Sequence, residues 1–227
     1  MDYRHELKFL VSDRDLEILR YRLKPLLKQD KHQTGDSYRI RSLYFDDYRD
    51  SYLQENEDGV DNRKKYRIRI YDGKDTTIKL EKKSKIRTMT AKEGTLLTKE
   101  ETLLYMKGQA PAMKEGDSFL KKDFFAQIKA GGLRPVTIVE YERTAFVEKI
   151  GNVRITFDRN ISASSKVERF FEYAPMMPVL PVGQHILEVK YDELLPDYIA
   201  QVMEIGNLQR TSFSKYYYAR RNENMYE

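Results

Sequence analysis

Apolar and charged residues alternate along several short stretches of the chain, a pattern typical of strands with one buried face. In the clearest example Tyr66, Ile68 and Ile70 alternate with Arg67 and Arg69. Because successive side chains of a strand point to opposite faces, this pattern predicts one apolar face and one basic face. One such strand is ordinary, but the pattern recurs.

The same alternation, mostly with basic residues, is found in five other stretches, at residues 4–8, 39–41, 79–83, 154–156 and 188–190. If these strands belong to one sheet closed on itself, their charged faces converge on a channel. A channel lined by Arg and Lys would bind a polyanion. The alternative is that each charged face is the solvent side of an open antiparallel sheet, the commonest arrangement of such strands. The alternation by itself leaves both arrangements open.

Turn and capping signals divide the chain into further elements. Strands are predicted at residues 3–11, 37–45, 64–72, 76–85, 87–91, 135–149, 153–158, 168–172 and 184–191. Helices are predicted at residues 13–27, within 47–60, in two pieces within 98–131, and at 193–205. Ser12 and Thr98 are the expected N-caps of two of these helices. The order predicts an α+β fold built on an antiparallel sheet, with helices inserted at its ends.

Composition narrows the classes of function. The chain has 227 residues, which suits a single domain over 1–227, and a net charge of +5 from 41 basic and 36 acidic side chains. That excess is too small to indicate a nucleic-acid-binding protein. There is no cysteine, no signal-peptide pattern, and no apolar run near the roughly 18 residues that a transmembrane helix needs. We therefore expect a soluble protein of the reducing cytoplasm.

A charged channel would need a ligand to stabilise it. An antiparallel barrel of about eight strands has an interior wide enough for side chains or one slim ligand. Burying a cluster of like charges is costly unless water and a bound anion share the space. The alternation places Arg39, Arg41 and Lys190 among the cations of such a channel, so we predict that they bind the anion.

Two carboxylates within the basic strands are candidate metal ligands. Glu188 lies two residues before Lys190, and Glu6 lies between Arg4 and Lys8. Mg²⁺ and Mn²⁺ prefer hard oxygen ligands shared between protein and phosphate, so a carboxylate among phosphate-binding cations suits either ion. The alternative for each carboxylate is an ion pair within its own strand.

Other catalytic signatures are absent from the sequence. It contains no P-loop, no glycine-rich dinucleotide turn, no His-Glu-x-x-His motif and no serine nucleophile elbow. The three histidines are scattered, and His5 falls on the apolar side of its strand, where packing is the expected role.

Eight short motifs resemble, in this order, those of the VTC domain. This is the catalytic domain of the vacuolar transporter chaperone polyphosphate polymerase, a member of the triphosphate tunnel metalloenzyme (CYTH-like) superfamily. The motifs are Arg4-x-Glu6-x-Lys8-Phe9, Ser42-Leu43-Tyr44-Phe45-Asp46, Arg67-x-Arg69, Leu80-Glu81-x-Lys83, Tyr141-x-Arg143-Thr144-Ala145-Phe146, Arg154-Ile155-Thr156-Phe157-Asp158, Leu187-Glu188-Val189-Lys190 and Ser214-Lys215-Tyr216. The resemblance extends from about residue 3 to 218.

This resemblance implies an eight-stranded antiparallel tunnel with helices packed at the outside and ends. It also implies transfer of the ATP γ-phosphoryl group to a growing polyphosphate chain, with Mn²⁺ or Mg²⁺. By the resemblance Glu188 would hold the metal, and Glu6 remains the second candidate from the residue pattern. The catalytic set would be Arg67, Arg69, Lys83, Arg143, Glu188 and Lys215. The substrate-binding residues implied by the resemblance would be Lys8, Lys92, Arg154 and Ser214. Arg39, Arg41 and Lys190, which are assigned from the alternation, complete the predicted substrate-binding set.

The sequence departs from the superfamily at one informative position. Its triphosphatases usually begin with Glu-x-Glu-x-Lys, whereas Arg4 stands here in place of the first Glu. Fewer carboxylates would favour transfer over hydrolysis. A metal-dependent triphosphatase or polyphosphatase, and a non-catalytic module that binds polyphosphate or nucleotide, remain alternatives.

Two further points stay open at the sequence level. The eukaryotic polymerases join this domain to an SPX domain and membrane helices that are not in these residues, so a membrane partner protein is conceivable but not implied. The strand register also leaves open whether Glu140 and Glu142 face the tunnel.

Overall fold

The computed structural model describes residues 4–31, 33, 35–87, 89–206 and 208–223, with only the backbone of the last. Tyr3 and Thr88, which fall within predicted strands, lie outside the described residues, as do 224–227 of the predicted domain. The strands are β1 (His5–Ser12), β2 (Lys28–Gln29), β3 (Tyr38–Asp46), β4 (Asn62–Tyr71), β5 (Lys74–Ile86), β6 (Met89–Leu97), β7 (Arg134–Glu148), β8 (Val153–Ser164), β9 (Met177–Pro178), β10 (Gln184–Tyr191) and β11 (Gln209–Arg210). The helices are α1 (Asp13–Leu23), α2 (Ser51–Glu57), α3 (Lys99–Met106), α4 (Phe119–Lys129), α5 (Asp197–Val202) and α6 (Lys215–Glu223).

One antiparallel sheet forms the framework. Its eight longer strands follow the order β1-β10-β8-β7-β3-β4-β5-β6, and the three two-residue strands pair at its margins. The outermost strands meet at a bridge, in which Arg4 N donates to Thr90 O (3.2 Å) and Thr90 N donates to Arg4 O (3.3 Å). Beyond this bridge β1 pairs instead with β11, at Phe9 and Leu10. The sheet therefore curls into the predicted eight-stranded tunnel, with a seam between β1 and β6 that the ladder leaves largely unpaired.

The apolar core lies outside the tunnel, between the sheet and the helices. In one cluster Tyr66 of β4 and Phe45 of β3 pack on Phe124 of α4, with ring centroids 5.3 and 5.0 Å apart. In a second cluster Leu19 of α1 packs over the strands that carry Leu187. Each such side chain contributes about 1.5–3 kcal/mol on burial. Because the helices cover the apolar strand faces, the charged faces are left to line the interior.

The predicted helix starts are confirmed. Ser12 Oγ accepts from Asp15 N (3.2 Å), and the Asp15 carboxylate accepts from Ser12 N (2.8 Å). Thr98 and Glu101 form the same reciprocal box at α3. These caps satisfy backbone groups that the helix itself cannot pair.

The main differences from the sequence prediction concern three predicted elements and the C-terminal tail. Of the stretch predicted at 87–91, residues 89–91 begin the longer strand β6, which pairs with β5 along its length, and Arg87 lies before that strand. Residues 168–172 are not a strand, because a single 3-10 turn at Val167–Arg169 places Phe170 in the core. The helix predicted at 193–205 is shortened to α5 by Pro196 at its N-cap. The C-terminal tail, for which no helix is predicted, contains α6.

Within the described residues no helix has both the length and the apolar character needed to cross a membrane.

Candidate functional site

The register of β1, β10 and β8 brings opposite charges into rows across the tunnel wall. Lys8 lies opposite Glu188, which lies opposite Thr156, and Glu6 lies opposite Lys190 in the next inward-facing row. Residues directly opposite in a ladder share a face of the sheet. Both candidate metal ligands therefore point inward, close to one another.

Glu6 is held by three lysines. Its carboxylate contacts Lys83 Nζ at 2.7 Å, Lys8 Nζ at 3.0 Å and Lys190 Nζ at 3.5 Å. Burial by itself would raise the pKa of Glu6, but Lys83, Lys8 and Lys190 together hold it well below its usual value. Glu6 is therefore an ionised carboxylate that neutralises part of a lysine cluster.

Glu188 has a less crowded environment. Lys190 Nζ lies 2.8 Å from its carboxylate, and this contact lowers the pKa of Glu188 well below its usual value, against the effect of burial. Beside it, Thr156 Oγ1 is buried without a hydrogen-bond partner among the described residues. A buried polar atom without a partner next to an ionised carboxylate fits an additional ligand, such as a metal ion or its water.

The remaining tunnel carboxylates are also shared. Glu81 contacts Arg67 at 2.8 Å, Lys92 at 3.0 Å and Arg69 at 3.5 Å. Its burial would raise the pKa of Glu81, but Arg69, Arg67 and Lys92 hold it well below its usual value. Glu81, like Glu6, therefore neutralises only part of the positive charge of the cations that it contacts.

Asp158 anchors the wall at the base of α6. Arg143 donates to both of its oxygens, at 2.6 and 2.7 Å, and Lys215 Nζ contacts it at 2.6 Å. The Tyr141 ring lies under both cations, 4.8 Å from Lys215 Nζ and 5.2 Å from Arg143 Cζ. Bidentate pairing and ring stacking fix the orientation of the guanidinium.

These side chains surround a cavity of about 810 Å³. Thirteen basic residues line it but only three acidic ones, Asp30, Asp72 and Glu188. The structure brings together most of the predicted site residues along this cavity, namely Lys8, Arg67, Arg69, Lys83, Lys92, Arg143, Arg154, Glu188, Lys190, Ser214 and Lys215. Glu6 lines a second cavity of about 380 Å³ that shares several lining residues with the first.

Arg39 and Arg41 do not lie in the tunnel, and the prediction that they face it is wrong. The Arg41 guanidinium lies outside the sheet, where it donates to Glu140 Oε2 (2.7 Å) and to Phe170 O (3.1 Å). Arg39 is largely exposed, 3.9 Å from Glu140. In β3 the inward positions are those of Ile40 and its alternate neighbours, so the two arginines point outward.

Glu140 and Glu142 do not face the tunnel either. Glu140 pairs with Arg41 outside the sheet, and Glu142 lies 3.7 Å from Arg159. A register shift in the β7–β8 ladder falls between the two glutamates. Neither lines the cavities, whereas Tyr141 between them does.

Several residues of the candidate site are not among those predicted from the sequence. Lys65 and Lys79 line the large cavity, and both continue alternations already noted in β4 and β5, so the pattern could have identified them. Asp158 and Thr156 lie within a quoted motif, but nothing in the sequence signals that one pairs with α6 and the other lacks a partner. Among the described residues no group of three or more His, Cys, Asp or Glu could hold a metal ion by itself.

Comparisons with known proteins agree with this architecture. The family profile of the VTC domain matches residues 3–222. A solved protein from Bacillus halodurans, provisionally assigned as an adenylate cyclase, is 14% identical with a TM-score of 0.55, over 94% of this chain and 95% of that one. A protein from Vibrio parahaemolyticus with the same provisional assignment is 13% identical with a TM-score of 0.52, over the same shares of the two chains. At these identities the likeness shows a shared fold. No match was found among curated proteins.

Proposed function

The chain belongs to the VTC domain family of triphosphate tunnel proteins, and we propose that it is a polyphosphate polymerase. It would transfer the γ-phosphoryl group of ATP to the end of a growing polyphosphate chain inside the tunnel. The observation that carries this proposal is the excess of cations around the large cavity, thirteen basic against three acidic residues. An enclosed excess of positive charge is stabilised by a ligand with several negative charges in a row.

The geometry suits phosphoryl transfer. The transferred group passes through a loose transition state with its charge spread over several oxygens, so positioning and charge stabilisation supply most of the catalysis. Arg67, Arg69 and Arg143 present fixed guanidinium groups that match phosphate oxygens. Lys83 and Lys215 add ammonium donors from other sides of the cavity. The acceptor would be a phosphate oxygen of the chain itself, so no protein nucleophile is needed.

Glu188 is the residue best suited to hold a divalent metal, with Glu6 and the Thr156 hydroxyl nearby. Mg²⁺ and Mn²⁺ are commonly held by one or two carboxylates together with substrate phosphates, which fits a site with two protein carboxylates. When bound, such an ion would neutralise phosphate charge as it develops during transfer.

The direct test is to incubate the purified protein with ATP and Mn²⁺, following long-chain polyphosphate on a gel and free phosphate in parallel. Arg67→Ala and Glu188→Gln should lose polymer synthesis by a factor of about 100 or more, the range seen when one charge-stabilising group is removed from an active site. Arg39→Ala removes an equal charge from the outer face and should retain wild-type synthesis.

Each other outcome identifies a different function. Free phosphate without polymer would replace the polymerase with a metal-dependent triphosphatase or polyphosphatase. Tight binding of ATP or polyphosphate without turnover would leave a binding module. Equal loss in Arg39→Ala and Arg67→Ala would contradict the assignment of the tunnel as the active site.

A further inference from the structure

The two cavities of the tunnel meet at a small set of residues. The large cavity and the cavity of about 380 Å³ share Lys8, Lys65, Lys83, Thr90 and Ser214. Three of these five are lysines. Any ligand that extends from one cavity into the other must pass them.

Lys65 differs from the other two lysines in its pairing. Lys8 and Lys83 both contact the carboxylate of Glu6, at 3.0 and 2.7 Å. Lys65 Nζ instead donates to the hydroxyl of Ser214 (3.2 Å), and no described carboxylate lies within 4.0 Å of it. Burial, and then the charges of Lys83 and Lys8, lower the pKa of Lys65 well below its usual value. Without a counterion the charged form of Lys65 is disfavoured, and a bound anion would supply that counterion and favour its protonation.

The smaller cavity continues this positive environment. Seven basic residues line it and one acidic residue, Glu6. It is lined by the start of β4, the end of β5 and the inward residues Glu6 and Lys8 of β1, and the segment 210–214 that leads into α6 forms one wall. Its basic residues beyond the junction include Arg63, Lys85 and Arg210. The cavity is thus complementary to an extended anion that reaches away from Lys65.

Taking the proposed function as its basis, we propose that Lys65 and Ser214 bind the terminal phosphate of the acceptor chain at the junction, while the body of that chain occupies the smaller cavity. The nucleotide would occupy the larger cavity. A terminal oxygen of the acceptor forms the new bond to the γ-phosphorus of ATP as the bond from that phosphorus to the bridging oxygen breaks. ADP leaves with the bonding electron pair. Lys65 stays bound to the acceptor phosphate throughout and forms no covalent bond.

A structural role for Lys65 makes the opposite prediction about stability. If its bond to Ser214 mainly held the start of α6 in place, removing the ammonium would destabilise the protein. If Lys65 instead serves to bind a ligand, Lys65→Met removes a buried amine that has no charged partner among the described residues, at nearly constant volume. The ligand-free protein should then have an unchanged or higher Tm.

The test uses calorimetric titration of tripolyphosphate into the full chain at fixed ionic strength. Mg²⁺ and a saturating non-hydrolysable ATP analogue are present, so that the nucleotide site is filled. Lys65→Met should weaken tripolyphosphate binding about tenfold, which corresponds to about 1.4 kcal/mol. Lys65→Arg should restore most of the affinity, and Arg39→Ala on the outer face should bind as the wild type does.

Three results would overturn the proposal. They are unchanged tripolyphosphate affinity in Lys65→Met, a marked fall in its Tm without ligand, and loss of wild-type tripolyphosphate binding when the ATP analogue is added.

In steady state, Lys65→Met should raise the KM for added tripolyphosphate about tenfold and the KM for ATP by less than about twofold. Absence of polymer synthesis in the wild type would instead refute the proposed function, and the titration would still report on Lys65.

Discussion

At the level of single residues, the basic side chains of the tunnel outnumber its carboxylates, and Glu6, Glu81 and Asp158 are each shared by two or more of them. Glu81 serves Arg67, Arg69 and Lys92, and its side chain is only 1% exposed. Sharing one carboxylate among several cations keeps that carboxylate ionised while leaving the cations short of negative charge. The protein thus retains the capacity to bind an anion, and the same shared pairs make its stability depend on pH.

Glu81 gives a prediction for acid stability. Its folded-state pKa is held well below the usual value, so the unfolded chain, with a glutamate pKa of about 4.3, takes up the proton first as pH falls. The contribution of Glu81 is therefore complete above about pH 5 and is lost as pH falls towards the folded-state pKa. We expect the wild-type Tm to drop steeply below about pH 4.5.

Glu81→Gln should have a lower free energy of unfolding at pH 7, by about 3 kcal/mol, because Arg67 and Arg69 lose a buried partner. Its Tm should also decrease less steeply than that of the wild type as pH is lowered, as measured by thermal melts in a pH series. Glu17→Gln, at an exposed position of α1, controls for the loss of one negative charge. Parallel acid profiles for Glu81→Gln and the wild type would contradict this account.

At the level of elements, α6 does more than close one end of the tunnel. It carries Lys215 into the cavity, and Ser214 just before it caps the helix through the backbone N–H of Tyr217. On its other side the Tyr216 hydroxyl donates to Asp46, whose carboxylate also accepts from the first backbone N–H groups of α2. One buried carboxylate thus ties two helices to β3.

This anchoring gives a prediction for α6. Tyr216→Phe removes only the hydroxyl that bonds to a buried carboxylate, which should lower the free energy of unfolding by about 1.5–3 kcal/mol in urea denaturation. Tyr217→Phe is the matched control, since its hydroxyl reaches Glu57 at 3.2 Å in an exposed position and should change stability little. Equal effects of the two substitutions would show that Asp46 does not anchor α6.

At the level of the whole molecule, the sheet is arranged with its polar face inward. The helices bury the apolar strand faces on the outside, and the interior holds the excess of cations. The mild net charge of +5 conceals this separation, because acidic residues elsewhere balance the basic interior. Electrostatic repulsion within the tunnel is then a property of the ligand-free state, and the proposed polyanion would relieve it.

We therefore expect tripolyphosphate to stabilise the wild type strongly. At a ligand concentration of about 100 times Kd the gain should be about 2.7 kcal/mol, visible as a rise in Tm. The gain at a fixed ligand concentration should shrink as NaCl is raised, because the attraction is electrostatic. Sodium sulfate at matched ionic strength is the control. An equal rise in Tm with sulfate would mean that the tunnel does not select linear polyphosphate.

The alternation of residues along a strand predicts some features of the tunnel and not others. Alternation identified the inward faces of β4 and β5 correctly, since Arg67 and Arg69 share a face opposite Ile68. It failed for Arg39 and Arg41, because a period of two assigns residues to one of two faces without saying which face is inward. In β3 the inward side chains include Ile40 and Tyr44, so Arg39 and Arg41 lie on the outward face together with Leu43 and Phe45.

The sequence by itself determined most of the longer strands, the capped helices, the family and the basic residues available to the tunnel, because these depend on neighbours within a few positions. Only the tertiary structure decided which cations share a carboxylate, since Asp158 meets Lys215 across 57 positions of sequence. It likewise decided that Lys65 lies at the junction of two cavities, bonded to Ser214 and without a described carboxylate nearby. Charge compensation is a property of three-dimensional proximity, and proximity across the tunnel is set by closure of the sheet.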